Sequence, residues 1–175
     1  MMEYEVKIRV GSLGPARARL MALGIRPLSR LTERDTYFNA SDRDFGKTDE
    51  ALRIRVTETG TTLTYKGPKI GRNDVKAREE IIVSVDRGDA MSGLLEHLGF
   101  QRTAEVVKVR ENYVVEGTFV ALDEVQGLGP FVEIEAPPGL SGEEAVALIS
   151  RVRETLGLAG GETTLSYLEM ILATR

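Results

Sequence analysis

The chain of 175 residues contains no cysteine and a single histidine, His97. Without cysteine there can be no disulfide, no thiolate zinc site and no cysteine nucleophile. One histidine cannot build a histidine metal cluster. His97 also falls off the apolar stripe of its expected helix, which makes it a surface residue. No apolar run approaches the length of a membrane span, and the start Met-Met-Glu-Tyr-Glu has no signal-peptide character. No membrane partner and a cytoplasmic location are therefore expected. The net charge of −4 argues against nucleic acid, which selects basic surfaces. Gly67-Pro68-Lys69-Ile70-Gly71-Arg72 lacks the spacing of a Walker loop and precedes no helix. Gly127-Leu128-Gly129 reads as a hairpin turn. Serine and threonine are plentiful, but none has a partner base that would make it a nucleophile.

What the chain has is charge laid out in alternation. Hydrophobic residues are 42% and charged residues 29%, the composition of a folded globular protein. The length suits one domain, 1–175, with a real core. The first strand shows the pattern. Glu3, Glu5, Lys7 and Arg9 lie on one face, and Tyr4, Val6, Ile8 and Val10 on the other. In isolation this is an ordinary strand with one wet side.

Gly11 breaks the strand, and Ser12 is a candidate N-cap for a helix carrying Leu13, Ala16, Leu20 and Leu23, closed by Gly24. An extended stretch follows from Ile25 to Phe38, then a polar loop from Asn39 to Asp49. Leu52, Ile54 and Val56 alternate with Arg53 and Arg55. Thr59-Gly60-Thr61 turns the chain into a partner strand, Thr62 to Lys66. A basic loop, Gly67 to Lys76, carries Lys69, Arg72 and Lys76.

Then the order begins again. Arg78 to Val85 is a strand with Arg78, Glu80 and Ile82 on one face. Met91, Leu94, Leu95 and Leu98 stripe a second helix capped by Gly99. Extended stretches follow, first Phe100 through Lys108, Arg110 and Tyr113, then Thr118 to Val125, then Phe131 to Ala136. An offset of about 75 positions lays Glu5 on Glu80, Leu20 on Leu95, Leu23 on Leu98 and Gly24 on Gly99. Strand, helix stripe and cap coincide at one offset, which points to two strand-helix-strand-strand-strand halves. A helix from about Gly142 to Leu156 and a short one from Ser166 to Ala173 end the chain. Leu168, Ile171 and Leu172 give the last helix an apolar face suited to packing across one end of the sheet.

The apolar strand faces are the only docking surface for the helices. The charged faces are then either open to water, paired in salt-bridge ladders, or rolled into a lumen. They hold Glu3, Glu5, Glu80, Asp123, Glu133 and Glu135 against Lys7, Arg53, Arg55, Lys66, Arg78, Lys108 and Arg110. Grouped carboxylates suit a hard cation such as Mg²⁺ or Mn²⁺. Arginine and lysine suit phosphate oxygens. A lumen with both would hold a metal–polyphosphate complex.

Glu3-x-Glu5-x-Lys7 resembles the signature of the CYTH superfamily, the triphosphate tunnel metalloenzymes. The resemblance continues through Asp35-Thr36-Tyr37-Phe38, Leu52-Arg53-Ile54-Arg55, Thr64-Tyr65-Lys66-Gly67 and Arg78-Glu79-Glu80. It runs on through Lys108-Val109-Arg110, Leu122-Asp123, Glu133-Ile134-Glu135 and Ser166-Tyr167-Leu168-Glu169. With Asp44-Phe45 and Asp49-Glu50-Ala51, the pattern looks most like the class IV adenylyl cyclase branch. The resemblance implies an α+β fold: an eight-stranded antiparallel β-barrel, or tunnel, of two pseudo-repeated halves with helices outside. It implies Mg²⁺ or Mn²⁺ on Glu3, Glu5, Glu133 and Glu135, with Glu80 a further candidate on the residue pattern. Phosphate would fall to Lys7, Arg53, Arg55, Lys66, Lys108 and Arg110, with Arg78 a further candidate. Asp123 would place metal or substrate, so Glu5, Lys7 and Asp123 are the expected catalytic residues. Ile82 stands where the family often has a second acid, which weakens the fifth strand as a metal wall.

The expected partner is a small-molecule triphosphate: ATP, thiamine triphosphate or tripolyphosphate. Cyclisation of ATP to cyclic AMP and pyrophosphate leads, ahead of triphosphate hydrolysis and of non-catalytic sensing of a phosphate ligand. A homodimer is a family-level expectation.

Overall fold

A computed structural model describes residues 2–70 and 76–174. It contains β1 (Met2–Arg9), α1 (Gly14–Ala22), β2 (Ser29–Asn39), α2 (Phe45–Thr48), β3 (Ala51–Thr57) and β4 (Gly60–Lys66). The second half holds β5 (Lys76–Val85), α3 (Gly88–His97), β6 (Gln101–Val115), β7 (Thr118–Val125) and β8 (Gly129–Glu135). The chain ends with α4 (Gly142–Leu156), β9 (Glu162–Thr163) and α5 (Tyr167–Ala173).

The strands follow the order β5-β4-β3-β2-β6-β7-β8-β1, and a β5–β1 pairing closes the ring. All these pairings are antiparallel. This is the expected eight-stranded barrel. One edge of β1 is shared. Met2–Glu5 lies against β5, and Lys7–Ile8 lies against the two-residue β9.

Closure explains the alternation of β1. Both faces are buried through the middle of the strand: Val6 and Ile8 enter the main core, Glu5 and Lys7 are buried on the other side, and only the end residues Met2 and Arg9 are exposed. The core lies outside the barrel, between β1, β7, β8 and the helices α1 and α4. A smaller cluster under α3 joins Phe38, Phe45, Leu52, Ile54 and Leu95. Local signals set the joints. Glu116 and Gly117 both have positive φ, the geometry a tight hairpin needs between β6 and β7. The start of α4 is held by reciprocal Ser141 and Glu144 bonds, and α5 by Ser166 and Glu169.

Four local expectations are corrected. Ser12 does not cap α1; the N-cap is Leu13, with no side-chain bond, and Pro15 in the first turn starts the helix instead. The 39–49 loop contains a helical turn, α2, capped by the Asp44 side chain on the Gly46 amide. Leu94 and Leu98 are exposed, so only Met91 and Leu95 of that stripe face the barrel. Leu172 is likewise exposed, while Leu168 and Ile171 pack inward. Of the basic 67–76 loop, residues 71–75 and the Lys76 side chain lie outside the described residues.

Candidate active site

The barrel encloses a cavity of about 240 Å³ whose wall includes Glu3, Glu5, Lys7, Arg53, Arg55, Lys66, Arg78, Glu80, Lys108, Arg110, Glu133 and Glu135. Asp123 is fully buried beside it, against Arg110. The acids and bases assigned to the lumen therefore converge on it, while Arg9, on the same face of β1, stays exposed outside and donates to the Leu128 carbonyl. The acids and bases arrive there because each strand places every second residue inward.

Charge inside the lumen is segregated. On the β2, β3 and β6 side, Asp35 accepts from Arg55 and lies 3.5 Å from Arg53 and 3.8 Å from Lys108. Glu33 sits 2.9 Å from Arg55 and 3.0 Å from Lys108. Burial alone would raise both carboxyls, but the surrounding cations outweigh it. Arg110, Lys108 and Arg55 hold Glu33 below its ordinary value, and Arg53, Arg55 and Lys108 do the same for Asp35.

On the adjoining strands, Arg110 of β6 bonds both oxygens of its β7 neighbour Asp123, at 2.7 and 2.5 Å, and also contacts Glu133 of β8. Lys7 reaches Glu133 at 2.9 Å. Burial opposes ionisation of Glu133, yet Arg110 and Lys7 hold it far below the usual carboxylate range.

The mouth between β1, β5 and β8 is different, because acids outnumber cations there. Lys66 serves Glu3, at 3.1 Å, and Glu80 together. Burial, then Glu3 and Glu5, pushes the Glu135 carboxyl up to about 7. Burial and Glu5 raise Glu3 as well. Burial and nearby Arg53 bring Lys66 down to about 8.

This surplus is the fit test for a metal. Glu3, Glu5 and Glu135 offer only carboxylate oxygens, the donor set of a hard divalent cation. Glu5 and Glu135 are direct cross-strand partners on β1 and β8. The crowding of their charge with that of Glu3, which raises Glu135 and Glu3, is what a bound cation would relieve. Lys7 lies near Glu5 and Glu133 and Lys66 near Glu3, and among the described residues no three acids form an ion cage. The donor set fits a hard divalent cation.

Arg78 stands apart from the other cations. It donates to the Gly67 and Asp49 carbonyls, each at 2.8 Å, and so ties two loops at the mouth.

The CYTH domain family model matches residues 1–166. The chain belongs to the CYTH family. It is 39% identical over 135 residues to a Methanocaldococcus jannaschii protein provisionally named an adenylate cyclase, covering 77% of each chain. It matches the solved PH1819 protein of Pyrococcus horikoshii at 36% identity and a TM-score of 0.87, over 99% of each chain. A Hippeastrum protein, provisionally named an adenylyl cyclase and described as having a dominant triphosphatase activity, shares the fold at 22% identity. Its TM-score is 0.76, over 99% of this chain and 96% of that one.

The CYTH tunnel also holds residues that sequence reasoning did not assign to the site. Glu33, Asp35 and Tyr37 line one face of β2. Their signal was present, as the alternation Glu33-x-Asp35-x-Tyr37, but the adjoining Thr32 and Arg34 hid it. Tyr167 lay in the Ser166-Tyr167-Leu168-Glu169 segment of the resemblance but was given no role in the site. From α5 its hydroxyl donates to Asp123 at 2.8 Å, and its ring lies 4.5 Å from the Lys7 Nζ and 5.1 Å from that of Lys108. The last helix therefore does more than pack across the sheet end; it seats a side chain in the CYTH lumen.

Proposed function

We propose that the tunnel binds a triphosphate with a divalent cation and converts ATP to cyclic AMP and pyrophosphate. The observation that carries this reading is the segregation of lumen charge. Arg53, Arg55, Lys108 and Arg110 stand on one side and the acidic surplus of Glu3, Glu5 and Glu135 on the other. A phosphate chain spanning the lumen would exchange its oxygens for those of Glu33 and Asp35 on the cations.

In this reading Lys7, Arg53, Arg55, Lys66, Lys108 and Arg110 grip phosphate, and Arg78 keeps the mouth in shape. Glu3, Glu5, Glu133 and Glu135 would hold Mg²⁺ or Mn²⁺, with Glu80 beside them. When bound, the cation would supply charge neutralisation and Lewis acidity at the reacting phosphate. The ribose 3′-hydroxyl releases its proton to solvent, its oxygen bonds to the α-phosphorus, the bond from that phosphorus to the bridging oxygen breaks, and pyrophosphate leaves. Asp123, held by Arg110 and Tyr167, orients the Arg110 guanidinium toward the substrate. Basic side chains stabilise the charge that builds on the leaving group.

A second reading is hydrolysis of a triphosphate, with water attacking in place of the 3′-oxygen. It is favoured by the lining itself, which is mostly charged and addresses a phosphate chain more than a base. Incubation with ATP, thiamine triphosphate and tripolyphosphate, with Mg²⁺ or Mn²⁺, separates the two by product. Cyclic AMP with pyrophosphate supports the first. Orthophosphate with no cyclic AMP under any metal replaces it with the second. Metal-dependent binding of all three with no turnover would leave a sensor.

A further inference from the structure

Another cavity, of about 490 Å³, lies outside the barrel, between α1 and the outer face of β6. That volume is within the ~300–1,000 Å³ of ordinary small-molecule sites. Its floor is apolar: Met21, Ile25, Pro27 and the Tyr113 ring. Tyr113 is 3% exposed and Ile25 packs on the main core, so the floor is anchored. Met21, one turn along α1 from Arg17, is 73% exposed, a large apolar side chain left in water. Backbone bonds fix the wall. Gly24 closes α1 with a positive φ and turns the chain back. The Ile25 amide donates to the Leu20 carbonyl at 2.9 Å, and the Leu28 amide to the Asn112 carbonyl at 2.8 Å. Arg26 and Pro27 therefore form a short strap pinned at both ends, and the proline ring fixes its own φ.

The charged groups of this cavity are arginines and one carboxylate. Glu111 follows Arg110 on β6 and points out of the barrel where Arg110 points in. It accepts two hydrogen bonds from Arg17, at 3.1 and 2.9 Å, and one from the Tyr113 hydroxyl at 2.9 Å. The Arg17 bonds hold Glu111 below its ordinary value, so it stays charged and committed. Its cross-strand neighbour Arg30 comes only to 3.7 Å. Arg26 has no hydrogen bond or ion pair among the described residues. Three arginines against one carboxylate leave a positive excess over an apolar floor.

We propose that this cavity binds a small amphipathic anion, a carboxylate on an apolar body, with the body on the Met21–Pro27 floor and the carboxylate held by Arg26 and Arg30. Charge complementarity selects the head group, since the planar guanidinium fork of arginine matches a carboxylate. Apolar surface taken out of water selects the body. A free small molecule suits the surface better than a bilayer does. The surface is concave, and the net charge of −4 opposes an anionic membrane. The site lies outside the lumen, and it does not depend on which triphosphate chemistry the tunnel performs.

Octanoate is the probe, and octanol its neutral counterpart. By calorimetry octanoate should bind the full chain saturably, at least ~10-fold more tightly than octanol. Tripolyphosphate, the expected ligand of the lumen, should not displace it. Arg26→Gln combined with Arg30→Gln should weaken octanoate at least ~10-fold. The same double variant should bind octanol, and tripolyphosphate with metal, as the parent does. Met21→Glu, at a position already in water, should weaken both octanoate and octanol with the melting temperature unchanged. No octanoate binding, equal affinity for octanol, displacement by tripolyphosphate, or parent affinity in the double variant would each overturn the proposal. So would phosphatidylglycerol vesicle binding or self-association that the double variant loses, which would give the surface to a bilayer or to a second copy.

Discussion

Asp35 grips Arg55 at both ends: its two carboxylate oxygens accept from Nε and from a terminal guanidinium nitrogen, each at 2.7 Å. The pair sits inside the barrel, with the carboxylate 1% exposed. Removing one member of a buried pair leaves a charge without compensation and costs about 3–5 kcal/mol. Asp35→Asn is expected to lower unfolding free energy by about 3 kcal/mol. Arg55→Gln added to it should cost less than the sum of the two single changes. Denaturant unfolding of the four proteins gives the coupling. Additive costs would mean that the pair contributes nothing beyond its separate members.

The same carboxylates set an acid limit. Glu33 and Asp35 titrate below their ordinary values in the folded chain, because nearby Arg and Lys outweigh burial. In the unfolded chain they titrate near pH 4. A depressed folded pKa stabilises fully above the unfolded value and loses that contribution as pH falls toward the folded one. Stability should therefore drop from about pH 5 downward, and the drop should be shallower in Asp35→Asn. Denaturation midpoints taken across that window test this. Parallel curves for the two proteins would remove Asp35 from the acid limb.

On the metal side, Glu5→Gln keeps side-chain shape and removes a charge from the acidic mouth. Loss of an outer partner of a metal ligand already costs about 10–100-fold, so loss of a direct ligand should cost at least ~100-fold in metal-dependent turnover. The melting temperature without metal should change little or rise, because Glu5 adds repulsion to Glu3 and Glu135. Turnover at the parent level, or unchanged Mn²⁺ affinity by calorimetry, would take β1 out of the metal site.

Behind β1 the chain passes so close that one glycine is obligatory. A Cβ on Gly160 would stand 2.2 Å from the Arg9 carbonyl oxygen, whereas one on Gly161 would meet nothing within 4 Å. Gly160→Ala must push β9 away from β1, at a cost of about 1–3 kcal/mol. Gly161→Ala should be near neutral. Thermal melts of both variants decide it, and equal melting temperatures would mean that the close approach relaxes freely.

Much of the barrel was legible because its signals are local. The alternation of Leu52, Ile54 and Val56 with Arg53 and Arg55 predicts β3 at its observed ends, Ala51–Thr57. The Thr59-Gly60-Thr61 turn predicts its pairing with β4. Helix α4 matches its expected span because its stop signals are chemical: Ser141 at one end and a left-handed Gly157 at the other. Misreadings occur where two local signals competed. Ser12 resembles a cap but lies one residue too early, and Leu94 and Leu98 share a helical spacing with residues that are buried.

By itself the sequence determined that this chain has two strand-rich halves, with a charged and an apolar face on strands such as β1 and β3, because a period of two is written in consecutive residues. It also supplied the acids and bases of the lumen by position. Only the tertiary structure decided which of them meet. Tyr167 reaches Asp123 from 44 residues away, and Lys66 reaches Glu3 from 63. It decided too that β5 outruns β1 and leaves Ile81–Val85 uncovered. Partner choice and strand overhang follow from barrel register and closure, which arise between segments distant in sequence and leave no mark on either segment alone.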